Sequence, residues 1–198
     1  MRRSIVILLA ATLLGSRAPA QPSTVILVRH AEKASQTESD PILSEAGTQR
    51  ARELALALAD AHVTTVITTQ LLRTKLTGAP VVEAGEAAAR SCGRISCTSV
   101  GTMVVANSGN TAAHVAEVAA AVKAQPAGGV VLVVGHSNTI PAIVGALGGP
   151  KMPNLCDSQY SVMFILEMSG SSPPRLVRAT YGTADPADPS CPKAMKQP

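Results

Sequence analysis

The sequence predicts an α/β protein, a three-layer α/β/α sandwich around a mostly parallel central sheet. Short runs of β-branched and aliphatic residues alternate with longer stretches of helical periodicity. Neither a repeat nor an interdomain linker interrupts that alternation. The clearest runs are apolar throughout, as strands covered by helices on both faces require.

The segments follow in order from residue 24. Thr24 to Arg29 (TVILVR) reads as a buried strand. Ser44 is an N-cap type residue, and a helix is predicted from it to about Ala61, with Ala51, Leu54, Ala55 and Leu58 on the apolar face and Arg50, Glu53 and Asp60 off it. Thr65 to Thr68 is a second short strand, and Gln70 to Gly78 has helical composition. A third strand lies within Ile95 to Val105. Thr111 to Gln125 is a helix with Val115, Val118, Ala119 and Val122 as its stripe, closed by Pro126 and the Gly128-Gly129 pair. Val130 to Val134 is entirely Val and Leu, the strongest strand signal in the chain. A short helix is expected from about Pro141 to Leu147, then strands at Tyr160 to Glu167 and Arg175 to Tyr181. The Pro- and Asp-rich tail from Gly182 onward is expected to be ordered only where a disulfide at Cys191 pins it.

The first twenty residues read as an export signal. Arg2 and Arg3 precede an apolar run from Ser4 to Gly15, and Ala18-Pro19-Ala20 supplies the small-x-small cleavage pattern. The run is short for a bilayer span, which needs roughly 20 apolar residues. A mature chain of residues 21–198, forming one domain in the periplasm or outside the cell, with no stable membrane anchor, is therefore expected. Net charge is +4 overall, but Arg2, Arg3 and Arg17 carry three of those charges and no acid accompanies them, leaving +1 on residues 21–198. So small an excess gives no basis for a nucleic-acid partner.

Cys92, Cys97, Cys156 and Cys191 all lie in the mature part, where an oxidising compartment favours disulfides. Four cysteines permit three connectivities; the favoured one pairs Cys92 with Cys97 and Cys156 with Cys191. A zinc site is the rival, but the spacing is C-x4-C rather than C-x2-C and no His lies nearby.

Two strands run into a histidine in the same way, as Val28-Arg29-His30 and as Val134-Gly135-His136. Ligands of open α/β sheets gather at the carboxyl ends of strands, so both histidines are expected in one crevice. Arg29-His30-Ala31-Glu32-Lys33 follows the first strand, Leu71-Leu72-Arg73-Thr74-Lys75-Leu76-Thr77 follows the second, and Gly135-His136-Ser137-Asn138 follows the strand beginning at Val130. With Leu43-Ser44-Glu45-Ala46-Gly47 at the start of the first helix, this set resembles the histidine phosphatase superfamily, in its phosphoglycerate-mutase-like branch. The resemblance runs from about Thr24 to Tyr181.

It implies a phosphoglycerate-mutase-like fold and a metal-independent phosphatase with no cofactor. His30 would attack phosphorus and become phosphohistidine, and Arg29, Arg73 and His136 would bind the phosphate. The residue types suit that task. A transferring phosphoryl group spreads its charge over three oxygens, and forked guanidinium donors grip it bidentately where an ammonium cannot. Two nearby cations should also push the His30 imidazole below its ordinary value of about 6.5, with a bound phosphate opposing them.

The branch usually places an acid near the pocket to protonate the leaving oxygen, yet Val100 to Ala113 contains none. Asp157, Glu83 and Glu86 are the remaining candidates, Asp157 first. Substrates implied are a phosphorylated small molecule or a phosphoprotein, as a phosphate monoester or a phosphoamidate. The missing acid equally suits a phosphate-binding scaffold without efficient turnover. His62, at the end of the first helix, and His114, off the stripe of its helix, read as structural or surface residues.

Overall fold

The computed structural model describes residues 21–91, 99–107, 109–168 and 173–191. Six strands form one sheet: β1 (Thr24–Arg29), β2 (Thr65–Thr68), β3 (Gly101–Val104), β4 (Val130–Gly135), β5 (Val162–Glu167) and β6 (Arg175–Thr180). Four helices connect them: α1 (Glu45–Ala57), α2 (Leu72–Ser91), α3 (Thr111–Lys123) and α4 (Thr139–Ala146). The strand order is β3-β2-β4-β1-β5-β6. Only β5 runs against the others, pairing antiparallel with both β1 and β6. This is the three-layer, mostly parallel sandwich the sequence predicts.

Alternation along each strand divides the core in two. Val25, Leu27, Val131 and Val133 face a layer made by Val118, Ala119 and Val122 of α3 and by Ile140, Ile143 and Val144 of α4. Ile26, Val28, Leu132 and Val134 face the opposite layer, where Leu54 of α1 and Val81 of α2 pack. Central strands apolar on both faces follow directly from this burial. β3 is exposed at each of its residues because it closes one edge of the sheet.

Several boundaries move from expectation, for identifiable reasons. α1 ends at Ala57 rather than near Ala61, and His62, predicted at its end, lies beyond it, exposed and with φ of 52°. α2 continues through Gly78 and Pro80 to Ser91, because Thr74, Thr77, Gly78 and Val81 form one buried stripe whose packing outweighs the local breakers. α4 starts at Thr139, two residues before Pro141, since the amides of Thr139 and Ile140 both donate to the His136 carbonyl. Pro141 then occupies the first turn, where no intrahelical donor is lost.

Two polar residues are more deeply placed than the sequence implied. Arg50, assigned to the solvent side of α1, is buried and ion-paired to Glu32 at 2.8 Å. His114 is only 2 % exposed and, with Val118 and Val122, forms the buried stripe of α3, whereas Val115 is half-buried.

The tail is held by more than its cysteine. Cys156 and Cys191 are bonded, closing a loop for which the chain-entropy account gives about 4 kcal/mol. In addition the Asp185 carboxylate accepts from the backbone amides of Tyr160 and Ser161 and from the Ser161 hydroxyl, each at 2.8 Å. Asp188 accepts from Ser158 at 2.9 Å. Cys92, Cys97 and residues 1–20, the expected export signal, lie outside the described residues.

Candidate active site

Strand register alone brings the two histidines together. β1 and β4 are parallel neighbours with Arg29 opposite Gly135, so the next residue on each strand is His30 on one side and His136 on the other. The His30 amide donates to the Gly135 carbonyl at 2.9 Å, extending the ladder by one rung. The two imidazoles meet edge to face with centroids 5.4 Å apart, and Tyr160 stands 6.3 Å from His30. Gly135 is required where it is: a Cβ would press on Thr139 and Ile140, both at 2.9 Å.

His30 is 5 % exposed. Its Nδ1 lies 2.8 Å from the Ala31 carbonyl, an acceptor, so Nδ1 carries the proton and Nε2 is the unprotonated nitrogen. Ala31 is itself fastened. Its amide donates to the Thr77 hydroxyl at 2.9 Å, and that hydroxyl donates to the Arg73 carbonyl at 2.7 Å. Thr77 thus joins the turn carrying His30 to the helix carrying Arg73. On the other side, Gly47 lets α1 press its first turn onto the Glu32 backbone, where any Cβ would collide.

Burial is the main reason that the His30 imidazole is pushed down to about 3. The hydrogen bond to Ala31 opposes it, while the charges of Arg29, His136 and Arg73 reinforce it. His136 is pushed down to about 4, again chiefly by burial and then by Arg73, His114 and Arg29. Its Nε2 stands 3.5 Å from the Thr69 hydroxyl.

The arginines are held differently. Arg29 is buried and clamps the turn before β5: Nη1 donates to the carbonyls of Cys156 at 2.8 Å, Asp157 at 3.1 Å and Gln159 at 3.3 Å. Its guanidinium carbon sits 4.1 Å from the centre of the Tyr160 ring. Arg73, in the first turn of α2, has an ion pair with Asp40 at 3.8 Å, and Asp40 also accepts from the Leu72 amide. The Nε atoms of both arginines are buried without a hydrogen-bond partner. Two unpaired guanidinium donors beside two neutral imidazoles form a cluster suited to an anion.

The acid candidates stand elsewhere. Asp157 is near, but its carboxylate is fully exposed and paired at 3.6 Å with Arg29. Glu83 lies about 15 Å and Glu86 about 20 Å further along α2 than Arg73, at 1.5 Å per residue. Glu83 lines a separate groove with Ile42, Arg52 and Leu76, and Glu86 pairs with Arg90 at 3.7 Å. Sequence reading missed Thr69, Asp40, Tyr160 and the Glu32–Arg50 pair, and it named Thr77 without a task. Among the described residues no group of three or more His, Cys, Asp or Glu is placed to hold a metal ion.

Comparison with known proteins agrees with this geometry. The profile of the histidine phosphatase superfamily, branch 1, matches residues 25–96, a span containing Arg29, His30 and Arg73. Over that span the chain is similar to the histidine phosphatase superfamily. No curated protein matches it in sequence. Among solved structures, SixA from Agrobacterium tumefaciens matches with a TM-score of 0.52 and 18% identity over 83% of this chain and 99% of that one. The protein histidine phosphatase SixA complexed with tungstate gives 0.54 and 18% over 79% and 96%. A mycobacterial glucosyl-3-phosphoglycerate phosphatase gives 0.53 and 17% over 80% and 98%. At such identities these likenesses establish the fold and no more.

Proposed function

We propose that this chain is a member of the histidine phosphatase superfamily and a metal-independent phosphatase that works through a phosphohistidine at His30 on a phosphate monoester or a phosphoamidate. The observation that carries this reading is the state of His30, a neutral imidazole whose Nδ1 proton is given to Ala31 and whose Nε2 is left as the nucleophile. In the first step Nε2 bonds to phosphorus as the bond to the leaving atom breaks. Arg29, Arg73 and His136 hold the three phosphoryl oxygens, where charge accumulates. In the second step water attacks phosphorus, the nitrogen–phosphorus bond breaks, and phosphate leaves with His30 restored. The unpaired Nε atoms of both arginines support an anion at this place.

The test is chemical trapping. Rapid alkaline quenching of enzyme with a labelled substrate should leave an acid-labile phosphoryl group on His30, and His30→Ala should lose both adduct and turnover. Full activity in His30→Ala would refute the assignment. Dialysis against a chelator should leave the rate unchanged.

Export, through residues 1–20 as a cleaved signal and delivery to the periplasm or beyond, belongs to the same proposal. The Cys156–Cys191 bond supports it, since such bonds persist in oxidising compartments. The intact mass of the native protein should correspond to a chain beginning at Gln21; retention of residues 1–20 would overturn it.

A further inference from the structure

The guanidinium of Arg29 is mounted on a turn distant in sequence. Its Nη1 donates to three carbonyls of that turn, those of Cys156, Asp157 and Gln159, and its central carbon lies 4.1 Å from the centre of the Tyr160 ring. A guanidinium is planar and rigid, so the turn that holds Nη1 also fixes Nε, the buried donor without a partner. Where residues 156–160 move, that donor moves with them.

Little within the turn keeps it in place. No side chain of residues 156–160 belongs to either half of the hydrophobic core, and Asp157 is fully exposed. The C-terminal tail fastens the turn at three points instead. Cys191 is bonded to Cys156, and the Asp188 carboxylate accepts from the Ser158 hydroxyl at 2.9 Å. The Asp185 carboxylate accepts at 2.8 Å from the amides of Tyr160 and Ser161 and from the Ser161 hydroxyl. The tail is tied in turn to α1, where Arg50 donates to the Thr183 carbonyl at 2.9 Å and Glu53 accepts from the Thr183 amide at 3.1 Å. The shortest bond of Arg29 thus ends on the carbonyl of a disulfide cysteine.

We propose that the tail positions Arg29, with Asp185 as a positioning residue, and that closure of the Cys156–Cys191 bond brings the phosphate site to full affinity. The inference rests on Arg29 being a phosphate ligand. Closure proceeds by exchange: the thiolate of one cysteine attacks a protein or small-molecule disulfide, and the thiolate of the other displaces the mixed disulfide so formed. Two electrons and two protons pass to the donor, which leaves as two thiols. In a reducing compartment the turn keeps only its hydrogen bonds to the tail and Arg29 is loosely set. In an oxidising compartment the bond persists and the donor is fixed.

The affinity of the intact protein for inorganic phosphate, measured by calorimetry, tests this, with kcat and KM for p-nitrophenyl phosphate beside it. Joint replacement Cys156→Ser and Cys191→Ser, which leaves Cys92 and Cys97 as they are, should weaken phosphate binding and lower kcat/KM, each roughly 10- to 100-fold, as a donor misplaced by about an ångström does. Asp185→Ala should act likewise with the disulfide intact. Asp185→Asn should recover most of the loss, because its side-chain oxygen still accepts from both amides and its nitrogen can donate to the Ser161 hydroxyl. Partial unfolding alone would reduce the number of active molecules and leave KM unchanged, so a raised KM separates positioning from stability. In an Arg29→Gln background, opening the disulfide should weaken phosphate binding little further. Unchanged phosphate affinity in the disulfide-free protein or in Asp185→Ala, or an undiminished effect in the Arg29→Gln background, would overturn the proposal. If affinity follows the disulfide while wild type forms no His30 adduct, the positioning stands and the covalent reading falls; an adduct with affinity indifferent to the disulfide gives the reverse.

Discussion

The turns that follow β1 and β4 carry equivalent residues at the ends of adjacent strands, yet they restrain them differently. After β1 the ring itself is fixed: Nδ1 of His30 is bound to Ala31, and Ala31 is bound through Thr77 to the backbone of Arg73. After β4 the backbone is fixed and the ring is looser. The His136 amide donates to the Thr139 hydroxyl at 2.9 Å and its carbonyl starts α4, while among the described residues its ring has a single hydrogen-bond contact, at 3.5 Å from Thr69. A nucleophile must present one defined, unprotonated nitrogen along the line of attack. A hydrogen-bond donor to moving oxygens does better with a ring that can follow them. The difference between the turns matches that division of labour.

The comparison can be broken most severely at the looser ring. His136→Ala should lower turnover by roughly 100- to 1000-fold, as loss of one positioned donor commonly does, while the His30 adduct still forms slowly and can be trapped. A variant as active as wild type would remove His136 from the reaction.

At the pinned ring, Thr77→Val should strand the Ala31 amide in the interior and let the His30 ring drift. Turnover should fall about 10- to 100-fold through kcat, with KM little changed, and stability by about 1–3 kcal/mol. Thr77→Ser restores the hydroxyl and should recover most of both. Failure of Ser to rescue would show that the methyl group, not the hydrogen bonds, matters.

The smallest effect is on pH. Both imidazoles are lowered in the folded state, to about 3 for His30 and about 4 for His136, from 6.5. Between these values the unfolded chain takes up protons that the native protein refuses. The stability associated with the neutral rings is therefore complete above pH 6.5 and is lost as pH falls below it, by up to about 1.4 kcal/mol per unit for each histidine. Denaturant midpoints at pH 7 and pH 5 should differ less in His30→Gln and in His136→Gln than in wild type. Parallel curves would place both rings in contact with water.

Much of the candidate site was legible because its residues directly follow strands. Once Thr24 to Arg29 and Val130 to Gly135 are read as strands, His30 and His136 fall at their ends. Asp40, and the pairing of Glu32 with Arg50, escaped notice because the partners, Arg73 for Asp40 and Arg50 for Glu32, lie 33 and 18 residues away. His114 was set off the buried stripe for a different reason. Its helix was correctly placed, but the stripe was drawn through Val115, and a polar residue at a buried position violates the pattern used to find such stripes.

By itself the sequence determined the alternation of strands and helices, the superfamily motifs and the placing of Arg29, His30, Arg73 and His136 beside strand ends, since these depend on residue type and short spacing. Only the tertiary structure decided how far α2 runs past Pro80, which carboxylates are taken by arginines, how Asp185 anchors the tail, and that His114 is enclosed. Each of those outcomes depends on burial and on contacts between distant segments, and these are energies that no local window of sequence contains.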